Sequence, residues 1–263
     1  MILPGPLQTL VVAELQPGVV QVLLNRPDRL NAIDEVMCAE LQTVFAWADT
    51  SGGEAGEVRV LVLRGAGRGF CSGGDLREVA RIFRPPAALA ERAMRQFQAV
   101  TRCLVDLSVP TVACVHGAAA GGGLVLAAAC DLRIAAQSAR FAMSFVDRGL
   151  GLDMGGSHVV SRLIGRGRTA QMALLGEVID ASRAEALGLV NFVVPEQDLD
   201  RELQHLIAAL ASKSPVATRL IKSALQSADP GLEAALRYEA AAQALAFSTL
   251  SADAPPAPDP ATD

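Results

Sequence analysis

The chain has 263 residues, 51% of them hydrophobic and 19% charged, with a formal net charge of −5. That is enough for one large domain or two small ones with a sizeable core, and it excludes a globally disordered chain. No basic cluster is long enough for a nucleic-acid surface, and no apolar stretch approaches the length of a membrane span. Aromatic residues make up only 4%, so the core has to be built from closely packed Ala, Val and Leu. Cys38, Cys71, Cys103, Cys114 and Cys130 are odd in number and widely spaced. They form no metal-binding pattern and are expected to be reduced thiols of a cytoplasmic protein. No secretory signal is expected at the N-terminus.

Taken in order, Val19 to Leu24 reads as a strand ending in the turn Asn25-Arg26-Pro27-Asp28. Leu30-Asn31-Ala32 follows, and Asp34 is placed to cap a helix running to about Trp47. Val58 to Leu63 is an apolar strand that opens into a glycine-rich turn, Gly65 to Asp75, where Asp75 is placed to cap another helix. Leu89 to Leu107 has the spacing of an amphipathic helix.

The central unit is Thr111 to Asp131. A β-branched strand, Thr111 to Val115, leads into Gly121-Gly122-Gly123 and then a wholly apolar helix, Leu124 to Cys130. Strand, glycine turn and buried helix together aim backbone N–H groups into a site, because the first N–H groups of a helix lack internal partners. Glycine lets a ligand approach that backbone closely.

Strands are then expected at Leu132 to Ala135, Arg140 to Met143 and Leu189 to Val194. Helices are expected at Ser157 to Ile164, Thr169 to Leu175 and Ser182 to Leu187. Three further helices, Leu199 to Ala211, Pro215 to Gln226 and Leu232 to Phe247, close the pattern. Strands alternating with helices and then helices alone predict an α/β core over 1–197 and a helical region over 198–250. The Pro, Ala and Asp of 251–263 predict a disordered tail.

Several common sites are absent. Gly65-Ala66-Gly67-Arg68-Gly69 lacks the full dinucleotide-loop spacing, and no phosphate-binding P-loop or GxSxG nucleophile elbow occurs. His116, His158 and His205 lie in no nucleophile motif, and His116 reads as a structural histidine at a strand end.

Two glycine loops after two parallel strands can present two convergent N–H donors to one carbonyl oxygen. Here the chain resembles a known family. Asn25-Arg26-Pro27 with Leu30-Asn31-Ala32, Phe70-Cys71-Ser72-Gly73-Gly74-Asp75, Pro110-Thr111-Val112-Ala113 with His116-Gly117, Ala120-Gly121-Gly122-Gly123, Cys130-Asp131, Ala186-Leu187-Gly188-Leu189-Val190 and Ser214-Pro215 with Lys222 together resemble the crotonase (enoyl-CoA hydratase/isomerase) superfamily.

The resemblance implies a crotonase-like ββα spiral core with a C-terminal helical trimerisation region. It implies acyl-CoA thioester substrates and a homotrimer or dimer of trimers, with no cofactor beyond the coenzyme A of the substrate. Its oxyanion hole falls on the N–H groups of Gly74 and Gly122. Its CoA contacts fall near Arg26, Leu30, Ala32, Ser72 and Asp75, with a helix cap as the other reading of Asp75. The two glutamates that serve water addition in the family fall on Val125 and Phe145, which then line the acyl site without moving a proton.

Water addition by the usual pair is therefore not expected. Asp153, in Gly149 to Gly156, matches the aspartate of isomerase-like members, which shuttles a proton between carbons two and four of the acyl chain. Its other reading is a cap for the helix that follows, and Asp147 is the second candidate base. The expected activity is a shift of an enoyl-CoA double bond, with hydration through Asp153 alone or a catalytically weak acyl-CoA-binding protein as the alternatives. A dehalogenase-like reading would need a histidine near Gln98, and none lies between Asp75 and Pro110. The family's basic contact near the C-terminus is also missing. Residues 77–94, the variable lid of the family, carry no readable specificity code.

Overall fold

Alternation along the strands decides the centre of the fold. In strand β3 (Val60–Gly65), Val60 and Val62 face one way and Leu61 and Leu63 the other, and all four are fully buried. A strand buried on both faces needs a layer on each side. The computed structural model, which describes residues 5–52, 58–75, 77, 87–226 and 232–249, supplies both layers.

The main sheet has the strand order β1 (Leu10–Gln16), β2 (Val19–Leu24), β3, β4 (Thr111–Val115), β6 (Leu132–Ala136) and β9 (Phe192–Val194). β1 pairs antiparallel with β2, and every other neighbour is parallel. A second sheet joins β5 (Ala118–Ala120), β7 (Arg140–Ala142) and β8 (Val178–Asp180).

On one face of the main sheet, Leu61, Leu63, Ala113 and Val115 pack against helices α1 (Glu35–Gly52) and α2 (Ala87–Asp106) and the central helix α3 (Gly122–Ala128). On the other, Val60, Val62, Val112, Cys114 and Ile134 meet Leu199, Leu203 and Ile207 of helix α6 (Leu199–Ala211). Each such side chain contributes about 1.5–3 kcal/mol when fully buried. α6 is therefore bound to the sheet and closes its second face.

Most of the expected elements are present. Asp34 caps α1, its Oδ1 accepting the N–H of Met37 at 2.8 Å. The two helices expected between Ser157 and Leu175 form one element, α4 (Gly156–Leu175), kinked at Gly165 (φ 78°, ψ 157°). α5 (Ala181–Ala186) is capped by Asp180. The strand expected over Leu189 to Val194 is shorter, Phe192–Val194, because Leu189 to Asn191 bend to meet the buried Arg133. The central helix begins two residues earlier than expected, so that Gly122 is its first residue. β1, β5 and β8 were not expected: β1 is a half-exposed edge, and β5 is three alanines. The tail at 251–263 and residues 78–86 of the expected lid lie outside the described residues.

Helices α7 (Pro215–Gln226) and α8 (Leu232–Thr249) pack on each other, and the hydroxyl of Tyr238 donates to the Leu220 carbonyl at 3.1 Å. Leu236 and Leu245 of α8 are about half exposed.

α7 is fixed to the core by a buried ammonium. Lys222 Nζ donates to Asp131 Oδ2 at 2.7 Å and to the Val109 carbonyl at 2.9 Å, while Thr111 donates to the same Oδ2 from its N–H and its hydroxyl. This explains why Cys130-Asp131 and Ser214-Pro215 with Lys222 occur together. Lys222→Met removes the charge and both bonds. We expect a loss of about 1–3 kcal/mol in urea unfolding, tempered because the Asp131 side chain is 35% exposed. An unchanged midpoint would mean that Thr111 alone satisfies Asp131.

Candidate active site

The site is built from the turn after β2. Leu30 and Asn31 both take left-handed backbone conformations (φ 50° and 55°), which asparagine tolerates better than most residues. Asn31 is completely buried. Its Oδ1 accepts the Arg26 N–H at 2.9 Å, and its Nδ2 donates to the carbonyls of Ala66 and Gly69 at 2.8 and 2.9 Å. Leu30-Asn31-Ala32 is thus a brace that holds the first glycine loop. His116 holds the same loop from the other side, with Nε2 2.8 Å from the Gly67 carbonyl.

Arg26 is consumed by structure. Its guanidinium pairs with Asp34 at 3.1 Å and Asp75 at 3.0 Å and donates to the Ala32 carbonyl. Burial opposes the charge of Asp75, but the Arg77 N–H and the Arg26 guanidinium outweigh it and hold the carboxyl below its ordinary value. Asp75 Oδ1 accepts that N–H at 3.1 Å, two residues along the chain, as a cap would.

The two glycine loops then meet. The Cys71 N–H donates to the Ala118 carbonyl and the Ala120 N–H to the Cys71 carbonyl, both at 2.9 Å. A Cβ on Gly123 would lie 2.2 Å from the Cys71 carbonyl oxygen, so only glycine fits there. A Cβ on Gly73 would lie 2.9 Å from the Ala120 carbonyl and 3.1 Å from the Gly122 nitrogen. Around Gly74, the Gly73 carbonyl accepts from the Ile33 N–H and the Asp75 N–H donates to the Ile33 carbonyl. Among the described residues, the N–H groups of Gly74 and Gly122 have no acceptor. Both line one cleft of about 750 Å³.

Among the described residues, three carboxylates line that cleft: Asp75, Glu91 and Asp153. Asp75 is paired with Arg26, and Glu91 with Arg95 at 2.6 Å. Asp153 pairs with no cation among the described residues. Its Oδ1 accepts a hydrogen bond from the amide Nε2 of Gln98 on α2, at 3.1 Å. Its side chain does not cap α4. The cap position is Gly155, and only the main-chain carbonyl of Asp153 accepts there, from the Gly156 N–H. The next residue, Met154, is buried at φ 54°, in the left-handed region that a methionine rarely adopts. Its sulfur would lie 2.7 Å from a Cβ on Gly122, so it lies against that loop.

Of the residues singled out in the sequence, the cleft gathers Ala32, Ser72, Gly74, Asp75, Gly122, Phe145 and Asp153. Arg26 and Leu30 are not in its lining, and Arg29 is. Val125 is fully buried with a methyl against Gly156. Asp147 lies elsewhere, its carboxylate beside Gly176. Arg29 and Phe97 escaped the sequence reading, and Gln98 entered it only as the place of a missing histidine. The helical spacing of Met94, Phe97 and Gln98 was the signal for that wall. Burial pushes the thiols of Cys38, Cys71, Cys114 and Cys130 up to about 12, which leaves them protonated and unreactive near neutrality.

The sequence profile of the enoyl-CoA hydratase/isomerase family matches residues 14–254. The chain belongs to this family. A relative from Escherichia coli K12, named 1,2-epoxyphenylacetyl-CoA isomerase, is 36% identical over 222 residues, covering 83% of this chain and 82% of its own. The crystal structure of an enoyl-CoA hydratase from Mycobacterium smegmatis superposes with a TM-score of 0.87 at 32% identity, covering 93% of each chain. A relative from Thermobifida fusca YX, solved in complex with CoA, superposes at 0.81 with 28% identity over 91% of this chain and 93% of its own. The crotonase fold expected from the motifs is the fold of this enoyl-CoA hydratase/isomerase family member.

The contact of the two loops makes a testable demand. Gly73→Ala places a Cβ against two backbone groups at φ +95°, whereas Gly149, at φ +68°, has open space around it. Gly149→Ala is expected to cost about 1–2 kcal/mol, the backbone term alone. Gly73→Ala is expected to cost more, measured by thermal melting of both variants. Equal losses would show that the loops can separate freely.

Proposed function

We propose that this family member shifts the double bond of an enoyl-CoA thioester, with Asp153 as the proton shuttle. The observation that carries this reading is the state of the carboxylates: of the three in the cleft, only Asp153 has no cationic partner among the described residues. A carboxylate paired with arginine is a poorer base than one with no cationic partner.

The chemistry follows from the groups in the cleft. The thioester oxygen accepts hydrogen bonds from the N–H groups of Gly74 and Gly122. Asp153 removes a proton from carbon two of a 3-enoyl thioester. The C–H electrons form a double bond between carbons one and two while the carbonyl π electrons move onto that oxygen, in conjugation with the existing double bond. The two donors stabilise the dienolate. Asp153 then returns the proton to carbon four, leaving the double bond between carbons two and three. One carboxylate suffices because the same group gives back what it took. The residues that fall on the family's two glutamate positions are Val125 and Phe145, neither of which moves a proton, so the usual pair for water addition is missing. The isomerase name of the Escherichia coli relative supports the same direction, as does the CoA held by the Thermobifida fusca relative for the class of substrate. Ala32, Ser72 and Asp75 are proposed to border the CoA, and Phe145 the acyl chain.

Asp153→Asn keeps the shape and removes the base. Turnover of a 3-enoyl-CoA is expected to fall by roughly 10²–10⁴-fold, followed by absorbance of the conjugated enoyl thioester, with thioester affinity little changed. Asp147→Asn, at a residue outside the cleft, is expected to stay active. Activity retained in Asp153→Asn and lost in Asp147→Asn would move the base to Asp147 and overturn the proposal.

A further inference from the structure

We infer that Gln98 is a positioning residue that orients the Asp153 carboxylate for proton transfer, an inference that rests on Asp153 being the shuttle. Gln98 stands on α2, and Asp153 lies 55 residues further along, in the segment before α4. Gln98 lines the same cleft beside Phe97 and Met94 and donates from Nε2 to Asp153 Oδ1 at 3.1 Å. Only the nitrogen end of the amide can bond to a carboxylate, since the oxygen end would repel it. Oδ2 of Asp153 has no partner among the described residues. One oxygen is therefore tied and the other is left to meet the acyl chain.

The type of residue matters. An arginine or lysine in this place would hold the carboxylate as Arg26 holds Asp75 and weaken it as a base. A histidine or a carboxylic acid could exchange protons with it and divert the shuttle. A primary amide does neither: it donates one hydrogen bond, stays neutral, and cannot accept the proton that Asp153 carries. A shuttle that serves two carbons of one chain has to keep its oxygen at a fixed place between them, and a misplacement of about 1 Å can cost 10²-fold. The left-handed backbone at Met154 fixes the chain on one side of Asp153, and Gln98 fixes the side chain on the other.

The experiment compares full-length protein with Gln98→Met, which keeps the length and loses the donor, and Gln98→Glu, which keeps polarity but has no donor when ionised. The substrate is a 3-enoyl-CoA thioester, and kcat and KM are read separately. Gln98 is exposed on its helix, so both variants are expected to melt with the parent. Both are expected to lower kcat by about 10- to 100-fold, the range for a hydrogen bond to a charged group, with KM within about twofold. In the Asp153→Asn background, Gln98→Met is expected to cause no further loss, because it acts through that carboxylate. A kcat within twofold of the parent in Gln98→Met, a loss confined to KM, or the same loss repeated on top of Asp153→Asn would each overturn the positioning role. If Asp153→Asn is inactive and Gln98→Met is fully active, only this inference falls. If Asp153→Asn itself stays active, the reading beneath it falls and the inference falls with it.

Discussion

The structure depends on the contact between two backbone loops that leave no room for side chains. The Cys71 carbonyl occupies the space where a Cβ of Gly123 would be, and Gly73 lies against the nitrogen of Gly122. Such an approach is possible only because β3 and β4 are parallel neighbours in fixed register, Leu61 opposite Thr111 and Leu63 opposite Ala113, so that their ends emerge side by side. The layers that bury both faces of these strands hold that register, since a shift by one residue would exchange their two buried faces. Asn31 and His116 then hold the first loop from outside the sheet.

Much of the polar chemistry around this contact is structural. Arg26 is spent on Asp34 and Asp75, Lys222 on Asp131, and Arg133 on the carbonyls that end the central helix. The thiols near the loops are buried and protonated. Among the described residues the cleft also presents a pair of N–H groups without acceptors and one carboxylate without a cation, and a single base beside two such donors suits a reaction that returns the proton it removes.

The sequence was most legible where one physical signal dominated. Val19–Leu24 is apolar but for Gln21 and Thr111–Val115 is apolar after its threonine, and both strands have the limits expected of them. Leu199–Ala211 and Pro215–Gln226 carry strong helical spacing and likewise match. β1 was illegible because an edge strand that is half exposed alternates weakly, and β5 because three alanines have no strand preference. The motif residues announced the site, but motif membership did not separate binding from bracing. Arg26 and Leu30 lie beside the cleft and build its wall, and Arg29 faces it. That difference rests on ion pairs to Asp34 and Asp75, the latter 49 residues away, which no local pattern encodes. The same holds for Gln98, whose partner is 55 residues distant.

The central claim is that one carboxylate beside two backbone donors moves a proton and adds no water. Incubation of the protein with a 3-enoyl-CoA thioester in ¹⁸O-labelled water, followed by mass analysis of the acyl product, tests it directly. The account predicts a product of the same mass as the substrate, with the double bond conjugated to the thioester and no label. A product heavier by one labelled water, formed at a rate comparable to or above that of the conjugated enoyl thioester, would contradict it.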